Sequence, residues 1–261
     1  MTDPLYDRAL LLHGAKRNDV LTLAEVEQYG RDSFADPDYV SIYGMLPKEW
    51  YGRGVRLLGR TAVECTRDAL GDRIGRDVAA VAARLPASTR LVVIDPFAGS
   101  CNTLYWMLRH LPKSEGIAFE LDPLVFRLTR SNIAVLDCHI ELVGGDYVPE
   151  VARRAFPTDW AVVVFVAPPW GTALHEVRGL DLRRTAPPIT EIISRFSQRY
   201  AAHHILFAIQ VYEKVMANSL ADLRELLDWS EMRVYDINAP GRNHGIVLGT
   251  KGWTPHAQAP R

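Results

Sequence analysis

The chain is expected to form an α/β domain built on a mostly parallel, Rossmann-like sheet, with a smaller helical segment in front of it. Two observations lead to this. From Arg90 onward, short and almost wholly apolar runs alternate with amphipathic stretches. Strands buried on both faces lose the polar alternation of half-exposed ones, and helices between them cover those faces. Before Arg90 no run of the strand type occurs.

In the first part, LTLAEVEQYGRDSF has the apolar spacing of an amphipathic helix, and FADPDYVSIYGMLPKEWYGRG is polar and turn-rich. A longer helical pattern runs from about Val55 to Leu85, with apolar residues at Val63, Ala69, Leu70, Ile74, Val78 and Val81. Gly71 weakens it and is the expected point of division into two helices. Residues 1–88 are therefore read as a helical segment that caps the substrate side, and residues 89–261 as the sheet domain. No internal repeat or low-complexity block is visible.

In the second part, LVVID is the first strand, PFAGSCN a turn and TLYWMLRHL a helix. GIAFELD and PLVFRLTRSNIAVLD repeat that order, IELVGGD is a third strand, and AVVVFV a fourth that ends in APPWG. ILFAI follows a helical stretch, and SEMRVYDIN with GIVLGTKGW closes the sheet as an antiparallel pair. The expected total is seven strands.

Composition narrows the class. At 48% hydrophobic and 23% charged, the 261 residues read as an ordinary globular protein. No window is apolar enough for a membrane span, and the N-terminus lacks the pattern of a secretory signal. Cys65, Cys101 and Cys138 are too few and scattered for a disulfide framework or a zinc site, so a cytoplasmic location is expected. The adjacent His203 and His204 cannot share a helix face, and no metal is expected. With 30 basic and 31 acidic residues, tight salt-sensitive binding to generic nucleic acid is not expected. The Arg153-Arg154 and Arg183-Arg184 pairs read as solvated surface.

The chemistry gathers at successive strand ends, where an open α/β sheet binds ligands. The turn Asp95-Pro96-Phe97-Ala98-Gly99-Ser100-Cys101-Asn102-Thr103 contains a glycine and opens a helix. It can admit a ligand to the backbone and aim N–H groups at it. Glu120 ends the second strand, where a carboxylate can accept both ribose hydroxyls. Asp146 ends the third and could meet an adenine amine. The turn has Gly99 but Cys101 where a dinucleotide fingerprint needs its second glycine, so no pyrophosphate cradle is present. An adenosine-containing ligand without a pyrophosphate fits, and S-adenosylmethionine is the common one.

DPFAGSCNT resembles the DPFxGSGxT motif of class I amino-methyltransferases that act on nucleobases. FELDP resembles their second motif, GGDY the third, and Ala167-Pro168-Pro169-Trp170-Gly171 the fourth. The pattern is most similar to the trimethylguanosine synthase-like group, the cap guanine-N2 methyltransferases. Members carry PPWG followed by a segment like Leu180-Asp181-Leu182-Arg183-Arg184, and a tryptophan-containing stretch that Lys48-Glu49-Trp50-Tyr51 resembles loosely.

The resemblance implies a class I methyltransferase fold and S-adenosylmethionine held by Asp95, Phe97, Ala98, Gly99, Asn102, Thr103, Glu120, Asp122, Asp146 and Tyr147. It implies catalysis at Ala167, Pro168, Pro169 and Trp170, with carbonyls of the stiff Pro-Pro turn aimed at the nucleophilic nitrogen and the indole stacked on the substrate. Trp50, Trp170 and Asp181 are the candidate substrate residues. Two positions depart from the pattern. Ala167 replaces a polar residue, which leaves the acceptor atom open among nitrogen, oxygen and carbon, and Cys101 replaces a glycine. The expected function is methylation, at nitrogen first, of a small planar heterocyclic or nucleobase-like acceptor. An RNA methyltransferase and a non-catalytic S-adenosylmethionine-binding interaction protein are the alternatives.

Overall fold

The computed structural model describes residues 5–136, 138–175, 177–237 and 243–255. Three of the segments read above run past these limits: the first four residues, Asp137 after PLVFRLTRSNIAVL and Asn238 after SEMRVYDI lie outside the described residues.

The N-terminal segment contains helices α1 (Leu23–Phe34), α2 (Pro47–Gly52) and α3 (Gly59–Glu64), after a short π-type turn at Ala9–His13. A capping box starts α1: the Thr22 hydroxyl accepts the Glu25 N–H, and the Glu25 carboxylate accepts the Thr22 N–H. Leu11, Leu21, Val26, Val40, Ile42, Trp50, Val55 and Leu57 give this segment its own buried core.

Helix α4 (Asp68–Ala82) is separate from α3, so the long helical pattern does divide. The break falls at the extended Cys65 and Arg67, not at Gly71. Gly71 lies inside α4, where a Cβ would come within 2.7 Å of the Trp106 ring. Its missing side chain makes room for the Trp106 ring and is not a helix end. Leu70, Ile74, Val78 and Val81 of α4 are buried with residues of the sheet. Burial of each such side chain contributes about 1.5–3 kcal/mol. The division between the two apolar cores therefore lies near residues 65–67, short of the sequence boundary at residue 88.

The sheet domain continues as β1 (Arg90–Asp95), α5 (Asn102–His110), β2 (Glu115–Glu120), α6 (Pro123–Ala134), β3 (Ile140–Gly144), α7 (Tyr147–Arg153) and β4 (Trp160–Val166). A small hairpin, β5 (Leu174–His175) and β6 (Gly179–Leu180), then precedes α8 (Ile189–Arg199), β7 (Ile205–Tyr212), α9 (Ala217–Glu225), β8 (Trp229–Tyr235) and β9 (His244–Lys251). The hairpin, α7 and α9 have no counterpart in the sequence reading.

Seven strands form one sheet in the order β3-β2-β1-β4-β7-β9-β8, parallel except for β9, which pairs antiparallel with both β7 and β8. This is a mostly parallel, Rossmann-like α/β architecture with a terminal antiparallel pair. Period-two alternation explains the apolar runs: Val162, Val164 and Val166 of β4 enter one core, and Val163 and Phe165 the other. No helix among the described residues is long and apolar enough to cross a membrane.

Candidate active site

Strand order reverses between β1 and β4, which makes that gap the topological switch point of the sheet. Ligands of open α/β sheets bind outside the strand carboxyl ends at such a point. Register aligns Asp95 with Ala118, Glu120 with Gly144 and Val166 with Ile209, so the motif-bearing turns emerge at one end.

The turn after β1 is braced on all sides. The Ala98 N–H donates to the Phe119 carbonyl at 2.9 Å, and Thr129 donates its hydroxyl to the Gly99 carbonyl at 2.7 Å. The Tyr43 hydroxyl donates to the Ser100 carbonyl. Gly99 and Cys101 both lie in the left-handed region, at φ +48° and +59°. For a non-glycine residue that conformation is costly and has to be held by its surroundings. Cys101 is fully buried, and its N–H bonds to Ala98 at 2.6 Å. The nearest atom to a Cβ placed on Gly99 would be 4.0 Å away, so the space over this glycine is open.

Glu120 faces that turn. Its Oε2 accepts the Gly99 N–H at 2.9 Å and its Oε1 accepts the Asp122 N–H at 2.8 Å. One amide per oxygen fixes the carboxylate plane and leaves acceptor capacity on each oxygen. Burial pushes the Glu120 pKa up, partly offset by those two amides. Asp95 is 1% exposed, and burial with the nearby Glu120 charge pushes it up to about 7, against a hydrogen bond from the Phe97 N–H. Asp122 caps α6 by accepting the Leu124 and Val125 N–H groups, and it pairs with Arg60 at 2.8 Å. Burial acts upward on Asp122, yet the Arg60 guanidinium and the helix amides hold it below the usual range.

Asp146 lies two residues past β3, where it caps α7 through the Val148 N–H and stays exposed. Tyr147 is buried, between the rings of Phe97 at 5.5 Å and Phe196 at 6.0 Å.

After β4, Ala167 is partly exposed, Pro168 buried and Pro169 exposed. Among the described residues no hydrogen bond is made to the Ala167 or Pro168 carbonyl. Trp170 is half-buried, its ring 6.4 Å from Tyr212 and 5.2 Å from His244. Asp181 accepts the Arg183 guanidinium at 2.9 and 3.1 Å, and its own N–H donates to the Ala173 carbonyl at 3.0 Å. Its carboxylate is held by Arg183, and its backbone N–H ties this segment to Ala173, three residues past Trp170.

Trp50 requires a correction. It is fully buried in the N-terminal core, and its indole N–H donates to the Val40 carbonyl at 2.9 Å. It is a packing residue with no face for a substrate. Asn102 is also engaged away from the turn: its carboxamide accepts the Tyr43 N–H at 2.7 Å and donates to the Thr66 carbonyl at 2.7 Å and to Asp68 at 3.1 Å. Thr103 is buried in the first turn of α5.

The sequence reading missed Arg60, Thr66, Gln210, Tyr212 and His244. Gln210 carried a signal, since it interrupts the apolar strand ILFAIQVY. Arg60 and Thr66 carried none, because their partners lie far along the chain.

No protein-family model matches the chain, and no curated protein sequence matches it significantly. Solved structures do resemble it in fold. A structure described as the delta-N METTL16 MTase domain is 15% identical over 70% of this chain and 83% of its own, with a TM-score of 0.48. The human methyltransferase 10 domain containing protein is 12% identical over 71% of this chain and 84% of its own, with a TM-score of 0.47. Precorrin-6y C5,15-methyltransferase from Geobacter metallireducens is 17% identical over 71% and 89%, with a TM-score of 0.42.

Proposed function

We propose that the chain is an S-adenosylmethionine-dependent methyltransferase that N-methylates a small planar heterocyclic or nucleobase-like acceptor. The observation that carries this reading is Glu120, a half-buried carboxylate held in plane by two backbone amides beside the open space over Gly99. That is an acceptor set for the two hydroxyls of a ribose, and the motif resemblance to the trimethylguanosine synthase-like group agrees with it.

The residues fit the cofactor in their chemistry. Each Glu120 oxygen can accept one ribose hydroxyl, Asp146 is exposed to meet an adenine amine, and Leu121, 72% exposed beside Glu120, offers an apolar surface. Asp95 supplies a carboxyl that favours a cationic neighbour once ionised. When bound, S-adenosylmethionine supplies a methyl carbon on a sulfonium, which the acceptor's lone pair takes as sulfur leaves as a thioether. The chain's contribution is positioning. The Ala167 and Pro168 carbonyls can accept hydrogen bonds from an amine, which turns its lone pair away from them, and Trp170 provides a stacking face. The proton displaced from the nitrogen leaves to solvent. The N-terminal segment, joined to the site through Asn102 and Thr66, caps the acceptor side. A net charge of −1 favours a small acceptor over RNA, and three free cysteines suit a reducing cytoplasm.

The test is S-adenosylhomocysteine release with a panel of nucleosides, planar heterocycles and short RNAs. Turnover of nucleosides or heterocycles is expected. Turnover of RNA alone would shift the substrate class, binding without turnover would indicate an interaction protein, and absence of S-adenosylmethionine binding would end the proposal.

A further inference from the structure

A hydrogen-bonded chain crosses from the N-terminal segment to the acceptor side of the site. The Thr66 hydroxyl donates to Gln210 Oε1 at 3.1 Å, and Gln210 Nε2 lies 3.0 Å from His244 Nδ1. Gln210 is 7% exposed in a strand whose other positions are buried and apolar in character. A buried carboxamide is costly unless its groups are paired, so packing alone favours an aliphatic side chain here. Its hydrogen bonds account for it: with Oε1 occupied by Thr66, the amide nitrogen donates to Nδ1. The imidazole proton then sits on Nε2.

Among the described residues Nε2 has no hydrogen-bond partner, and the ring lies 5.2 Å from that of Trp170 at an interplanar angle of 49°. Tyr212 lies opposite His244 in the β7–β9 pairing and also packs on Trp170. The charged groups around the imidazole are Arg67 and Arg8 on the N-terminal side and Glu213 at the end of β7. Burial, reinforced by the two arginines and opposed by Glu213, pushes His244 down to about 4. A ring with so little affinity for a proton is poorly suited as a base at neutral pH and well suited as a fixed neutral donor.

We infer that His244 reads the acceptor: its Nε2–H donates to a carbonyl oxygen or unprotonated ring nitrogen of the planar substrate stacked on Trp170, with Gln210 and Thr66 as positioning residues. The inference rests on the methyltransferase reading and narrows its substrate class. A heterocycle that presents an N–H on this edge meets a second donor and is rejected.

Two measurements on the full chain test it. Imidazole nitrogen NMR at pH 7 should show His244 as the neutral Nε2–H tautomer, without titration between pH 8 and 5.5. Gln210→Glu should move the proton to Nδ1, because a carboxylate can only accept. A charged ring or an Nδ1–H tautomer in the wild type overturns the inference. In the second, S-adenosylmethionine Kd is followed by calorimetry, and KM for the acceptor turned over from the nucleoside and heterocycle panel. His244→Phe should raise acceptor KM about tenfold with cofactor Kd unchanged, and His244→Gln, which keeps an N–H donor, should recover most of that loss. Unchanged KM in a folded His244→Phe variant overturns the inference and leaves the methyltransferase reading intact. No cofactor binding, or cofactor binding with no turnover of any planar heterocycle, defeats the underlying reading and the inference with it.

Discussion

The Trp106 indole occupies the space that a side chain on Gly71 would need: a Cβ there would lie 2.7 Å from Cδ1 and 3.3 Å from Cγ of the ring. The ring cannot easily yield, since its N–H donates to Asp68 at 2.6 Å. Helix propensity alone gives alanine an advantage of about 1 kcal/mol over glycine inside a helix. Overpacking opposes it with about 1–3 kcal/mol. Gly71→Ala is therefore expected to lower stability, with a reduced urea midpoint at unchanged slope. A rise in the midpoint would mean that α4 and α5 are not packed through this contact.

Asp95 titrates where binding can be observed. Its folded-state pKa is raised from the ordinary aspartate value to about 7, chiefly by burial, so the unliganded chain holds this proton through mildly acidic pH. The contribution to stability is full below the unfolded value and declines as pH rises through about 7. A cationic ligand favours the ionised form, so affinity runs the opposite way. S-adenosylmethionine binding should weaken by up to tenfold per unit as pH falls below 7, with proton release on binding. Asp95→Asn should flatten that dependence. Calorimetry in buffers of different ionisation enthalpy measures the proton directly.

Trp170 is half-buried, which separates its two roles. Stacking on a planar acceptor is worth about 1–3 kcal/mol. Trp170→Ala should lose roughly 10- to 100-fold in kcat/KM, while Trp170→Phe keeps a good part. Cofactor affinity should hardly change in either. Full activity in Trp170→Ala with a large drop in Tm would make it a packing residue alone, which costs about 3–5 kcal/mol to empty.

What the sequence revealed and what it concealed divide along a physical line. Strand runs such as AVVVFV and the order of turns are local properties, and the seven strands follow from them. The position of Glu120 at the end of β2 was readable because it follows from the local apolar run before it. Trp50 was misread because nothing local separates a tryptophan that fills a core from one that lines a mouth. The break at Cys65–Arg67 lies beside residues whose backbone is extended to meet Asn102, a partner 36 residues away from Thr66. His244 gained its surroundings only when β9 inserted between β7 and β8, an arrangement that the order of elements along the chain does not reveal.

If Glu120 binds the ribose of S-adenosylmethionine, calorimetric titration of that cofactor into wild type and Glu120→Ala will separate the two proteins. Each carboxylate oxygen accepts one amide, from Asp122 at 2.8 Å and Gly99 at 2.9 Å, and keeps capacity for a second donor. Wild type is expected to bind in the micromolar range. The variant should lose about 2–3 kcal/mol, a fall in affinity of roughly 30- to 150-fold. A wild type that gives no binding heat, or a folded Glu120→Ala variant with unchanged Kd, would contradict the assignment.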